Sequence, residues 1–120
     1  MTAKEIIHEV CNYFHVGTDY IETNERFGEI IKIKHLAVYF VKKYKDYSLA
    51  ATGRYFIGNN LVFDHASVLH AVRSVNNQYD TDRHYRNQVD ELNGIIESKM
   101  RDYEYQETED VWGQNDFFKN

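Results

Sequence analysis

Apolar positions recur at a helical period through most of the chain. In residues 3–14, Ile6, Ile7, Val10, Cys11 and Phe14 share one face, which predicts an amphipathic helix. Gly17 permits a turn, residues 19–22 predict one short helical turn, and residues 23–28 (TNERFG) read as a polar loop. The stretch 30–44 follows, with Ile30, Ile33, Ala37, Phe40, Val41 and Tyr44 able to pack inward. Residues 48–56 (SLAATGRYF) predict a shorter helix with Ser48 as its N-cap and Leu49 and Phe56 inward. Gly53 within it reads either as room for another helix to approach or as a simple helix-interior glycine. Residues 64–77 (DHASVLHAVRSVNN) predict a further helix, capped by Asp64, with Val68, Leu69, Val72 and Val75 as its apolar stripe. The pattern breaks over residues 79–86, where Thr81 or Asp82 would cap a last helix striped by Val89, Leu92, Ile95, Ile96 and Met100.

Two helices joined by a turn, the second opening on short polar residues, fit a helix-turn-helix reader of duplex DNA. Any helical hairpin gives the same pattern, so periodicity alone leaves plain packing open. His65, Ser67, His70, Arg73 and Ser74 fall mostly off the apolar stripe, giving that helix a separate polar side.

Length and composition narrow the class. One hundred and twenty residues suffice for one domain with a core, and the absence of proline favours uninterrupted helices. The lone Cys11 rules out an internal disulfide framework and sits where a buried thiol is expected. No apolar run approaches membrane-spanning length and the start does not read as a secretory signal, so a reducing cytoplasm is the expected compartment. The net charge of −5 argues against nucleic acid until it is mapped. Residues 24–86 hold ten Lys/Arg against six Asp/Glu, whereas residues 1–23 carry −3 and residues 87–120 carry −6. A mildly basic middle is thus flanked by acidic ends, and local potential matters more for DNA than the total. Lys32, Lys34, Lys42, Lys43 and Lys45 surround the helix at 30–44. They read equally as a solvated face or, for Lys32 and Lys34, as phosphate contacts.

The run Asp64-His65-Ala66-Ser67-Val68-Leu69-His70-Ala71, preceded by HLAVYFVKKYKDYSLAATGRYF, resembles the C-terminal DNA-binding domain of the bacterial replication initiator DnaA. The resemblance covers roughly residues 3–96 and is most specific over 64–71. It implies an all-α, compact helical bundle containing a helix-turn-helix, of the Trp-repressor-like kind. It divides the chain into a DnaA-like helical domain over 1–100 and an acidic, aromatic-rich tail over 101–120.

The resemblance also implies a set of DNA contacts. Arg26 falls on a minor-groove arginine, Lys32 and Lys34 on two basic positions before the central helix, and Ser48 on a phosphate contact. The helix from Asp64 would enter the major groove N-terminus first, with His65, Ala66 and Ser67 near base edges and His70 about a turn later near the backbone. Three departures change the expected target. Glu25, Phe27, Gly28 and Glu29 stand where the family is more basic, and Ile33 replaces its proline. The turn at 57–63 is about four residues longer than the family's. Phe63 takes the place of a base-contacting arginine, so a guanine fork is replaced by a ring that can only stack or touch a thymine methyl.

No GxxxxGK phosphate loop and no zinc-ligand spacing occurs, so neither a bound nucleotide nor any cofactor is expected. Asp64, His65, Ser67 and His70 do not form a catalytic group on sequence grounds, and Asp64 is accounted for as a cap; the chain is not expected to be an enzyme. The leading expectation is double-stranded DNA binding in replication initiation or its regulation, in a chain of phage or mobile-element type. The alternative is a protein–protein interaction module on the same scaffold, binding a replication protein or itself. The acidic total, Phe63 and the aromatic tail support it. The tail is expected to lie on its own domain, contact a partner, or cover the DNA face as a negatively charged mimic.

Overall fold

Five α-helices and two short 3-10 turns make up the described part of the chain: α1 (Ala3–Tyr13), a turn at Thr18–Ile21, α2 (Gly28–Lys45), α3 (Leu49–Gly53), a turn at Arg54–Phe56, α4 (His65–Thr81) and α5 (Arg83–Asn115). The computed structural model describes residues 1–22, 28–56 and 63–115, with side chains through residue 102. The architecture is an all-α bundle with a helix-turn-helix arrangement in α3 and α4.

α1, α3, α4 and α5 each start where a side chain accepts an orphan amide. Thr2 and Glu5 form a reciprocal capping box at α1, both bonds being 3.1 Å. Beyond α1 the chain turns through His15, whose φ of 59° is left-handed. α2 ends similarly, at Asp46 with φ 51°, a conformation that aspartate tolerates better than most residues.

α2 is the axis. Ile33, Leu36, Ala37, Val38, Phe40 and Val41 are fully buried along it, because α1 packs on one side and α4 on another. The inward set is therefore wider than a one-sided stripe: Leu36 and Val38 join it, and Tyr44 stays half-buried with its hydroxyl donating to Asn93. Burying each such aliphatic side chain contributes about 1.5–3 kcal/mol, which makes this helix the main source of packing stability. α1 supplies Ala3, Ile6, Ile7, Val10 and Cys11 to the same core. Burial, with Glu22 and Asp19 nearby, pushes the Cys11 thiol up to about 11.

Two stripes differ from the sequence pattern. On α4 the fully buried line is Val68, Ala71 and Val75, with Leu69 and Val72 only flanking it. The small Ala71 side chain marks close approach to α2, which hydrophobicity alone underrates. On α5 the buried line is Tyr85, Val89, Leu92 and Ile96, whereas Ile95 and Met100 are half-buried. The break expected over residues 79–86 shrinks to one residue. Asp82 is extended (φ −127°, ψ 109°) and its carboxylate accepts the Tyr85 amide at 3.1 Å, so α4 can run to Thr81 and α5 start at Arg83. The Arg86 guanidinium helps close this corner by donating to the Tyr79 and Asp80 carbonyls. Polar ties then fasten α5 across the bundle: Tyr13 to Glu91 at 2.9 Å, Lys43 to Asn93 at 2.8 Å, and Lys99 to Glu9 at 2.6 Å.

Candidate nucleic-acid interface

Short-range bonds fix the start of α3, and one close backbone contact sets it against α4. The Ser48 hydroxyl accepts the Ala51 amide at 3.1 Å, and the buried Thr52 hydroxyl donates to the Ser48 carbonyl at 2.9 Å. These bonds fix the α3 start and leave the exposed Ser48 at the surface. At the other end of α3, Gly53 meets the chain entering α4. A Cβ there would stand 2.0 Å from the Phe63 carbonyl oxygen and 3.4 Å from a Val68 methyl. Glycine is thus required for the distance between the two helices, as its place in the sequence suggests.

α4 then divides cleanly. Val68, Ala71 and Val75 bury its inner line, while Asp64, His65, Ala66, His70 and Arg73 are exposed. One Asp64 carboxylate oxygen accepts both the Ser67 amide and the Ser67 hydroxyl, each at 2.9 Å. Those two bonds hold the Asp64 carboxyl below its ordinary value. The Ser67 hydroxyl proton is committed to this cap, so toward a ligand Ser67 offers lone pairs rather than a donor. His65 and Ala66 project from the first turn, one able to donate or accept and the other presenting only a methyl.

The flank of this helix start is built by α2. Lys34 is 8 % exposed, with its ammonium 5.0 Å from the centre of the Phe63 ring, and burial lowers its pKa. Phe63 is half-buried and sits 5.9 Å from the Phe56 ring, so its ring is a packing element between α3 and α4. One residue along α2, His35 meets His70 of α4 edge to face, with ring centres 5.7 Å apart. Burial, His70 and Lys34 together hold the His35 imidazole below its ordinary pKa. His35 is absent from the contacts that the sequence suggests. No local pattern marks it, because its partner lies 35 positions away on another helix.

Asp64, His65, Ala66, Ser67 and His70 therefore share the first turns of α4, and Lys34 is drawn to the same end through Phe63. Ser48 caps the neighbouring helix. Lys32 points elsewhere: its ammonium donates to Gln88 at 2.8 Å and lies 5.5 Å and 5.6 Å from the Phe14 and Tyr85 rings. It reaches toward α1 and α5, and Lys34 toward the entry of α4. Arg26 lies outside the described residues, as does most of the long turn before Phe63. Among the described residues no group of three or more His, Cys, Asp or Glu side chains is arranged to hold a metal ion. Among them, too, no helix is long and apolar enough to cross a membrane.

Comparison with known proteins bears on this geometry. Residues 3–75 match the family model described as the bacterial dnaA protein helix-turn-helix. The chain is 33% identical over 99 residues to the chromosomal replication initiator protein DnaA of Bacteroides thetaiotaomicron, covering 82% of this chain and 20% of that protein. The same-named proteins of Flavobacterium psychrophilum (34% identical, 70% of this chain, 17% of that protein) and Wolbachia pipientis wMel (33%, 77% and 19%) are similar. The chain spans about a fifth of the length of the curated relatives it matches.

Proposed function

The chain belongs to the bacterial dnaA protein helix-turn-helix family, and from that premise we propose that it binds double-stranded DNA with the start of α4 in the major groove. One observation carries the reading. α4 begins on a self-capped first turn whose outer residues, His65 and Ala66, are exposed while Val68, Ala71 and Val75 anchor the opposite side. A helix held this rigidly from behind and bare at its N-terminal turn suits insertion into a groove. Ser48 and Lys34 serve phosphates, the first through its hydroxyl and the second by charge. Ala66 meets a thymine methyl, His65 a base edge, and Ser67 accepts from a base amino group while its own proton stays on Asp64. The relatives' names point to replication initiation or its regulation as the setting.

Selection from random duplexes tests this reading. The wild-type chain is expected to enrich a defined motif. His65→Ala and Ser67→Ala are expected to alter the preference, each lost base contact costing roughly 1–3 kcal/mol at its cognate pair. An unchanged preference profile in both folded variants would remove α4 from the role of reader. If the wild type enriches nothing at low salt, the scaffold serves instead as a protein-interaction module, the reading that the −5 net charge and the inward Phe63 favour.

A further inference from the structure

His35 and His70 form the one histidine pair packed across two helices among the described residues. They stand beside Lys34, at the end of α2 that borders the proposed duplex face. We propose that this pair is a proton-linked phosphate site: a backbone phosphodiester docking beside Lys34 draws a proton onto the pair, so that duplex affinity rises as pH falls. The inference rests on the duplex-binding reading and adds a regulatory property to it.

The geometry sets up a charge deficit that an anion would fill. Edge-to-face packing at 5.7 Å suits two neutral imidazoles, since one ring edge meets the other ring's electron-rich face. Two imidazolium rings at that distance would repel. The groups acting on His35 are His70 from α4 and Lys34 from its own helix, and both disfavour a further positive charge. The nearest acidic group on α4, Asp64, is engaged by Ser67 at the cap. His70 is exposed and His35 half-buried, so a phosphate can approach from the His70 side without opening the core.

The sign follows from linkage. In the free chain burial, His70 and Lys34 hold the His35 imidazole below its ordinary pKa. A phosphodiester beside it favours the protonated form and raises the pKa in the complex. Affinity therefore climbs as pH falls from the bound pKa toward the free one, by up to about tenfold per pH unit for each proton taken up. Below the free pKa the gain levels off.

The experiment is duplex binding by the full chain from pH 8 to 5.5 at fixed ionic strength, using a duplex enriched in the random selection. The imidazole titration of His35 is followed by NMR with and without that duplex. The expected result is tightening with acid, an upward move of the His35 midpoint when duplex is added, and a flattened pH profile in His35→Gln and His70→Gln. His8→Gln, on the exposed side of α1, keeps the slope. A flat wild-type profile, an unmoved His35 midpoint, or a slope that survives His35→Gln would overturn the proton-linked site and leave duplex binding standing. Absence of binding at every pH would overturn both.

Discussion

Gly53→Ala isolates the contact that sets α4 against α3. The new methyl would lie 2.0 Å from the Phe63 carbonyl oxygen, where ordinary contact begins near 3.4 Å. The obstacle is backbone, so no side-chain rotation relieves it, and either α3 or the entry of α4 must move by more than an ångström. Helix propensity favours alanine over glycine by about 0.5–1 kcal/mol. Overpacking of a rigid site costs about 1–3 kcal/mol, and more when backbone shifts. The clash wins, and a net loss of at least about 1 kcal/mol is expected in urea unfolding. Gly94→Ala is the matched control. Its Cβ meets nothing within 4 Å on the exposed side of α5, so propensity acts alone and stability should rise by about 0.5–1 kcal/mol. Duplex affinity should fall in the first variant at temperatures where it remains folded and hold in the second. Equal stabilisation by both substitutions would refute the close approach at Gly53.

Other consequences follow from the caps and the buried thiol. Asp64→Ala should lower the unfolding midpoint and Asp64→Asn should largely preserve it, since asparagine caps about as well as aspartate. Thermal scans of the three proteins check this order. The carboxyls of Asp64 and Asp82 are both held low by the amides they accept. Their contribution is complete above the unfolded carboxyl pKa and is lost as pH falls through the lower folded values. Acid scans below about pH 4 should therefore lower the melting temperature less steeply in Asp64→Asn than in the wild type. Cys11, buried with its pKa near 11, should react with a thiol reagent at pH 8 at least about a hundredfold more slowly in the folded chain than in urea. Equal rates would mean that α1 opens readily.

How far the sequence reaches depends on the range of the interaction. α1, α2 and α4 carry strong local periods, and Ser48 and Asp64 announce their helices because a cap is a bond to a residue three positions on. Gly53 is legible for a similar reason, a glycine within a short helix before a turn. Ala71 and the narrow break at Asp82 are not, since one depends on how closely α2 approaches and the other on a carboxylate replacing several residues of loop. The candidate interface shows the same division. Residues 64–70 come together because they share one helix, as their spacing predicts. Lys32 and Lys34 are near neighbours in sequence yet diverge, because the helix turns about 200° in two residues. His35 joins His70, and Phe63 joins Lys34, only through packing between distant helices.

The most direct test of the central claim is the affinity of the full chain for its selected duplex across salt concentration. Neutralisation of phosphates by Lys34 and further Lys/Arg side chains at the duplex requires log K to fall linearly with log salt, whereas the uncharged Ser48 contact adds nothing to the slope. About three neutralised phosphates give a slope near −2.7. Such a slope, with micromolar or tighter binding at low salt, is the predicted result. Binding that is indifferent to salt, or absent at the lowest concentration, would contradict the assignment of this helix-turn-helix to DNA.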